Sequence, residues 1–213
     1  MRDDSFDARQ TAADVASCIA SHASLSTWLR ESPPLDPTRP SGLPGWSSGH
    51  VLTHIARNAD GHRCMLDGLP QYPHGLEGRD GDIESGATRT WAELVDDVAA
   101  TSAALDERWA AHDDWSGAAR MLMGERPTHL LPLLRQREVE VHRADLGLGY
   151  GFADMPSEYI RRDLELMGMS WQARRPIGMT TLPGPALAAD PTTRLAWLMG
   201  RAAIDGVERA GLL

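Results

Sequence analysis

Four polar side chains recur at four-residue steps early in the chain: His50, His54, Asn58 and His62. On a helix this spacing lines them along one side. Such a row serves either as the solvated edge of an amphipathic helix or as a set of ligands facing a cavity. Leu52, Ile55, Ala59, Leu66 and Leu69 form the apolar stripe beside it. A second pair, Glu138 and His142, is again four residues apart. Two such side chains can meet one ion at the roughly 2.0–2.2 Å that zinc keeps from carboxylate oxygen and imidazole nitrogen. They can equally form an intrahelical pair that contributes about 0.2–0.5 kcal/mol. One histidine from a neighbouring helix would complete a set of two His and one Glu, three protein ligands with an open fourth position, the pattern of a catalytic zinc. His54 is the best-placed donor, with polar companions one turn away on each side. Asp145, His50, Asn58 and His62 are candidates for an outer layer that orients the ligand imidazoles. Glu140 lies about 200° around the helix from Glu138 and is expected to face solvent.

Positioning these residues requires helices, and four long segments carry helical periodicity. The first spans about 7–29 and stops at Ser32-Pro33-Pro34. The stretch 33–46 holds five prolines and two glycines, so it reads as ordered turns or an exposed crossing. Ser47 or Ser48 opens the second helix, to about residue 69, and a Gly/Asp-rich connection follows over 70–86, long enough to suggest a ligand-facing loop. Thr90 with Glu93 is a capping box that opens the third helix, to about 111. Residues 115–126 read as irregular or hairpin-like, and Pro127 begins the fourth helix, which Gly147 and Gly149 stop. Four helices of this length predict a mainly α fold, a four-helix bundle over 1–150 with a site built from facing side chains. Residues 151–213 predict a small α/β appendage docked on it, with a helix over 156–174, a short strand over 178–182 and an apolar helix over 195–203.

Composition narrows the chemistry. The chain has 213 residues, 42% apolar and 24% charged, which is enough to build a core. Its 21 basic residues, all arginine, face 30 acidic ones for a net charge of −9. Without lysine, Schiff-base and P-loop chemistry are excluded. An acidic chain lacking a basic stripe is a poor partner for nucleic acid or anionic membranes. No apolar leader or spanning segment is evident, and Cys18 and Cys64 read as ordinary thiols of a reducing compartment, so a cytoplasmic location is expected. No H-E-x-x-H, C-x-x-C or G-x-S-x-G occurs, which argues against a zincin protease, a cysteine-held structural zinc and a serine hydrolase.

The segment Gly45-Trp46-Ser47-Ser48-Gly49-His50-Val51-Leu52-Thr53-His54-Ile55-Ala56-Arg57-Asn58-Ala59 resembles the opening signature of the mycothiol-dependent maleylpyruvate isomerase family, a branch of the DinB-like metal-binding bundles. Arg137-Glu138-Val139-Glu140-Val141-His142-Arg143-Ala144-Asp145-Leu146-Gly147 is similar to its second signature. The stretch 72–86, with Arg79-Asp80 and Asp82-Ile83-Glu84, resembles the family's loop between the second and third helices, and Leu198-Met199-Gly200-Arg201 its C-terminal motif. The resemblance implies that His54, Glu138 and His142 bind zinc and that mycothiol is the thiol cofactor. It implies that Arg201 handles the anionic substrate, with Arg57 as a second choice, and Arg57 and Asn58 are the positions expected to hold the cofactor. Two features depart from the pattern: Glu140 stands where relatives often carry an apolar or aromatic residue, and the C-terminal segment is short, without the proline- and tryptophan-bearing tail associated with the family.

The activity so implied is cis-trans isomerisation of maleylpyruvate or a similar cis-enone acid by thiolate addition, bond rotation and elimination. The partners are a small-molecule thiol and a small anionic electrophile, with no nucleic acid and no membrane, in a monomer or small homo-oligomer. Two other readings use the same residues: a mycothiol S-transferase that retains the thioether product, and a metal-binding bundle without catalysis.

Overall fold

Helix ends are set by side-chain caps at the places where the chain offers them. In the computed structural model, which describes residues 7–174 and 181–210, the Asp7 carboxylate accepts from the backbone N–H groups of Arg9 and Gln10 and opens α1 (Ala8–Glu31). Ser47 opens α2 (Ser48–Leu66), with His50 closing a capping box: Ser47 Oγ accepts from the His50 backbone and His50 Nδ1 accepts from the Ser47 backbone. After α3 (Gly75–Gly86), the expected box of Thr90 and Glu93 opens α4 (Trp91–Ala110). Strands β1 (Ala118–Met121) and β2 (Gly124–Pro127) pair antiparallel as the anticipated hairpin. A single 3₁₀ turn, Thr128–Leu130, then leads into α5 (Leu131–Asp145).

Helices α1, α2, α4 and α5 form a four-membered bundle in which α2 and α1 each pack against both α4 and α5. Helix α5 therefore has neighbours on two sides. One apolar cluster gathers Leu25, Leu52, Ile55, Leu94, Val98 and Val139, and another gathers Cys18, Ala59, Leu105, Trp109 and Leu131. Fully buried Arg135 donates to the Ile55 carbonyl (2.8 Å), Asn58 Oδ1 (2.9 Å), His22 Nε2 (3.1 Å) and Ser102 Oγ (3.5 Å). His22 Nδ1 lies 2.7 Å from Asp106, so one guanidinium ties four helices together.

Two expectations are corrected. The connection over 70–86 contains a helix, α3, although its twelve residues include four glycines and bury only Ile83. Its local propensity is low, and it is held by packing against α2. That packing is close: a Cβ on Gly86 would collide with the Thr53 side chain, and one on Gly49 would collide with the Ala87 carbonyl oxygen. Because backbone cannot yield as a side chain can, Gly49→Ala is expected to lower stability by about 1–3 kcal/mol, read as a reduced midpoint in chemical denaturation. Glu140 is buried rather than solvent-facing, 2% exposed, and accepts a hydrogen bond from Ser21 of α1. The side of α5 opposite Glu138 is covered by α1, so no face there is left for water.

The chain divides into two compact units, Met1–Leu148 and Gly149–Leu213. In the second, α6 (Ser157–Ala173) and α8 (Pro191–Leu198) pack together, with the short α7 (Gly184–Ala188) between them in sequence. The Asp190 carboxylate caps α8 by accepting from the Thr192 and Thr193 backbones, which starts that helix earlier than its apolar pattern suggests. The expected strand over 178–182 falls largely outside the described residues. Among the described residues, no helix is long and apolar enough to cross a membrane.

Candidate metal centre

The three residues singled out by spacing converge between α2 and α5. His54, Glu138 and His142 each offer a ligand atom, and these atoms lie within 4.8 Å of one another. Glu138 Oε2 is 2.8 Å from His54 Nε2 and 3.4 Å from His142 Nε2. The imidazole rings meet edge to face with centroids 4.6 Å apart. The Glu138 side chain is 29% exposed, against 7% and 15% for the two histidines, so the cluster has a solvent-facing side through which a ligand can enter.

Electrostatics suit a cation. Burial would raise the Glu138 pKa, but hydrogen bonds from His142 and His54 outweigh it and hold the carboxyl well below its ordinary range. Burial lowers the His54 pKa, against the opposing hydrogen bond to Glu138, which favours the neutral imidazole that a metal requires. For His142 burial again acts downward, yet hydrogen bonds to Asp145 and Glu138 prevail and carry it up to about 9. The cation-free cluster thus holds a proton where an ion would sit.

The ligand set fits a divalent metal: two imidazoles and a carboxylate are a borderline-soft donor set, and Asp145 Oδ2, 2.9 Å from His142 Nδ1, leaves Nε2 turned toward Glu138. Because a metal must displace the His142 proton, its apparent affinity is expected to rise about tenfold per pH unit and to level off near pH 9, the group's pKa of about 9. Proton release in weak buffer checks this, at one proton per ion from His142. The sign for folding is opposite. A raised histidine pKa stabilises the cation-free fold below the unfolded value, and that contribution is lost as pH climbs through about 9. Replacing Asp145 with alanine is expected to weaken metal binding about 10–100-fold, measurable by competition with a chelating indicator.

The outer candidates are distributed differently. Asp145 orients His142, whereas His50 is committed to capping α2 and reaches Glu84 at 3.4 Å. Asn58 is buried and accepts from Arg135 through Oδ1. His62 is fully buried, with no partner on either ring nitrogen. Arg57 pairs with Asp97 (2.6 Å) and Asp60 (3.2 Å) and lines a separate polar cleft of about 300 Å³ with Thr53, Asp82 and Arg89. Arg201 belongs to the second unit, where its Nη1 donates to the Met199 carbonyl. Sequence reasoning gave no site role to Arg79, Trp46 or Tyr72. Arg79 Nη2 is 3.3 Å from His54 Nδ1, and the Trp46 ring lies 5.4 Å from the His54 ring.

Fold and cluster together define the class: a helical bundle with a His-Glu-His cluster between two of its helices. The chain belongs to the mycothiol maleylpyruvate isomerase N-terminal domain family, whose description matches residues 18–147. Two solved structures share the fold over 90% of this chain and 90% of their own. One is the mycothiol-dependent maleylpyruvate isomerase (TM-score 0.73, 22% identity) and the other its histidine-to-alanine mutant (TM-score 0.75, 21% identity). A comparison with curated proteins gives no match.

Proposed function

We propose that this chain is a zinc- and mycothiol-dependent cis-trans isomerase of maleylpyruvate or a similar cis-enone acid, working in the cytoplasm. The observation that carries the reading is the convergence of His54, Glu138 and His142 in a member of this family. When bound, the ion supplies a Lewis acid that lowers the pKa of a thiol, and addition and expulsion of the thiolate at the cis double bond permit rotation to the trans isomer.

The chain's own residues prepare that position. His54 offers a neutral imidazole because its surroundings disfavour the charged form. Glu138 stays ionised, which balances part of the ion's charge. Asp145 fixes the tautomer and aim of His142 through Nδ1. Trp46 walls the His54 side of the cluster with an apolar ring. The substrate is a dianion that gains enolate character as the thiolate adds, so positive charge must stabilise it. We assign Arg201 to that task, on the likeness of Leu198-Met199-Gly200-Arg201 to the family's C-terminal motif. Arg57 and Asn58 are the proposed cofactor contacts, Arg57 through its polar cleft.

The test is an assay of zinc-loaded protein with mycothiol and maleylpyruvate, followed by proton NMR, which tells the cis from the trans acid, and mass spectrometry, which detects a thioether. The proposal expects the trans acid with no net loss of thiol. A retained thioether would instead identify an S-transferase, and zinc binding without turnover of either kind would identify a non-catalytic bundle.

A further inference from the structure

We propose that Arg79, carried on α3, is the carboxylate-binding residue of the metal centre. This rests on the reading of the substrate as a small anionic acid. Its Nη2 reaches 3.3 Å from His54 Nδ1, so a positive fork stands against the cluster itself. The guanidinium carbon sits 5.8 Å from the ring centroids of both Trp46 and Tyr72. These two aromatic faces limit where the planar group can turn, and a guanidinium held this way is preorganised for two parallel hydrogen bonds to a carboxylate. Its remaining acidic contact is weak competition: Nη1 meets Asp80, the adjacent residue, whose side chain is 54% exposed.

The other arginines near α2 are engaged elsewhere. Arg135 is fully buried with its donors spent inside the bundle, and Arg57 and Arg89 share Asp97. Arg79 also has a reason to change partner. A guanidinium only donates, so its contact with His54 Nδ1 requires the imidazole proton on Nε2, the atom facing Glu138. A neutral imidazole that gives its Nε2 lone pair to an ion carries its proton on Nδ1. Two donors then face each other, and Arg79 Nη2 needs a new acceptor beside the ion. A substrate carboxylate is that acceptor. The helix that brings Arg79 here is the one its glycine-rich sequence concealed.

The test uses full-length, zinc-loaded protein titrated with maleate, a stable cis dicarboxylate, by calorimetry. Wild type is expected to bind, Arg79→Ala to bind about 10–100-fold more weakly, and Arg79→Lys to fall between them, with zinc content and circular dichroism unchanged in all three. Wild type that ignores maleate, or Arg79→Ala that binds it equally well, overturns the proposal. Loss of zinc from Arg79→Ala also overturns it, because the residue would then serve His54 rather than the substrate. Since binding is read without turnover, failure of the isomerase assay alone leaves this result standing, and the two claims fail separately.

Discussion

Glu138→Ala is expected to abolish stoichiometric zinc binding while leaving the helical content of the protein intact. One of its carboxylate oxygens lies 2.8 Å from one imidazole and 3.4 Å from the other, so it is the group that joins a ligand on α2 to a ligand on α5. Without it, two imidazoles remain, a set too small for a catalytic zinc. The fold should tolerate the loss, because the Glu138 side chain is 29% exposed and takes part in neither apolar cluster. Lewis-acid stabilisation is worth several kcal/mol, so thiol-dependent turnover should drop by roughly 1000-fold or more. Elemental analysis beside the activity assay reads both effects. In the cation-free protein the same substitution removes one of the two carboxylates that hold His142 at about 9, so its titration by NMR should move downward.

Arg135→Ala should have the opposite profile, a large loss of stability. The side chain is fully buried, and its removal leaves Asn58 Oδ1 without its donor and His22 Nε2 with only the Cys18 sulfur at 3.7 Å, while opening a cavity among α1, α2, α4 and α5. Each buried group left without a partner costs about 1–3 kcal/mol, so a total of at least ~3 kcal/mol is expected, visible as an earlier midpoint in denaturant. The metal ligands are untouched by the substitution. At temperatures where the variant is folded, it should therefore still bind zinc.

The sequence showed the parts of this molecule whose signals are local. Caps and breakers located α1, α2, α4 and α5, and four-residue spacing picked out His54, Glu138 and His142. What it hid depends on neighbours. Glu140 looked solvated because a helical wheel knows only one helix, whereas α1 covers that side of α5. Helix α3 was concealed because its glycines are poor helix formers, and their lack of a Cβ is what lets Gly86 approach Thr53. His50 shared the ligand stripe, yet at the third position of α2 its ring closes a capping box, a role its four-residue spacing also allowed. Arg79 could be found only once α3 was placed against α2, since twenty-five residues separate it from His54. Arg135 carried one faint signal, a charge one turn before Val139 on the buried side of α5, but its partners on α1, α2 and α4 are all remote in sequence.

X-ray absorption at the zinc edge, on protein reconstituted with one equivalent of metal and then given mycothiol, tests the central claim most directly. The account predicts a first shell of two imidazole nitrogens and carboxylate oxygen at about 2.0–2.2 Å, joined on thiol addition by one sulfur near ~2.3 Å. A shell without histidine scattering, or one that gains no sulfur when the thiol is saturating, would contradict it.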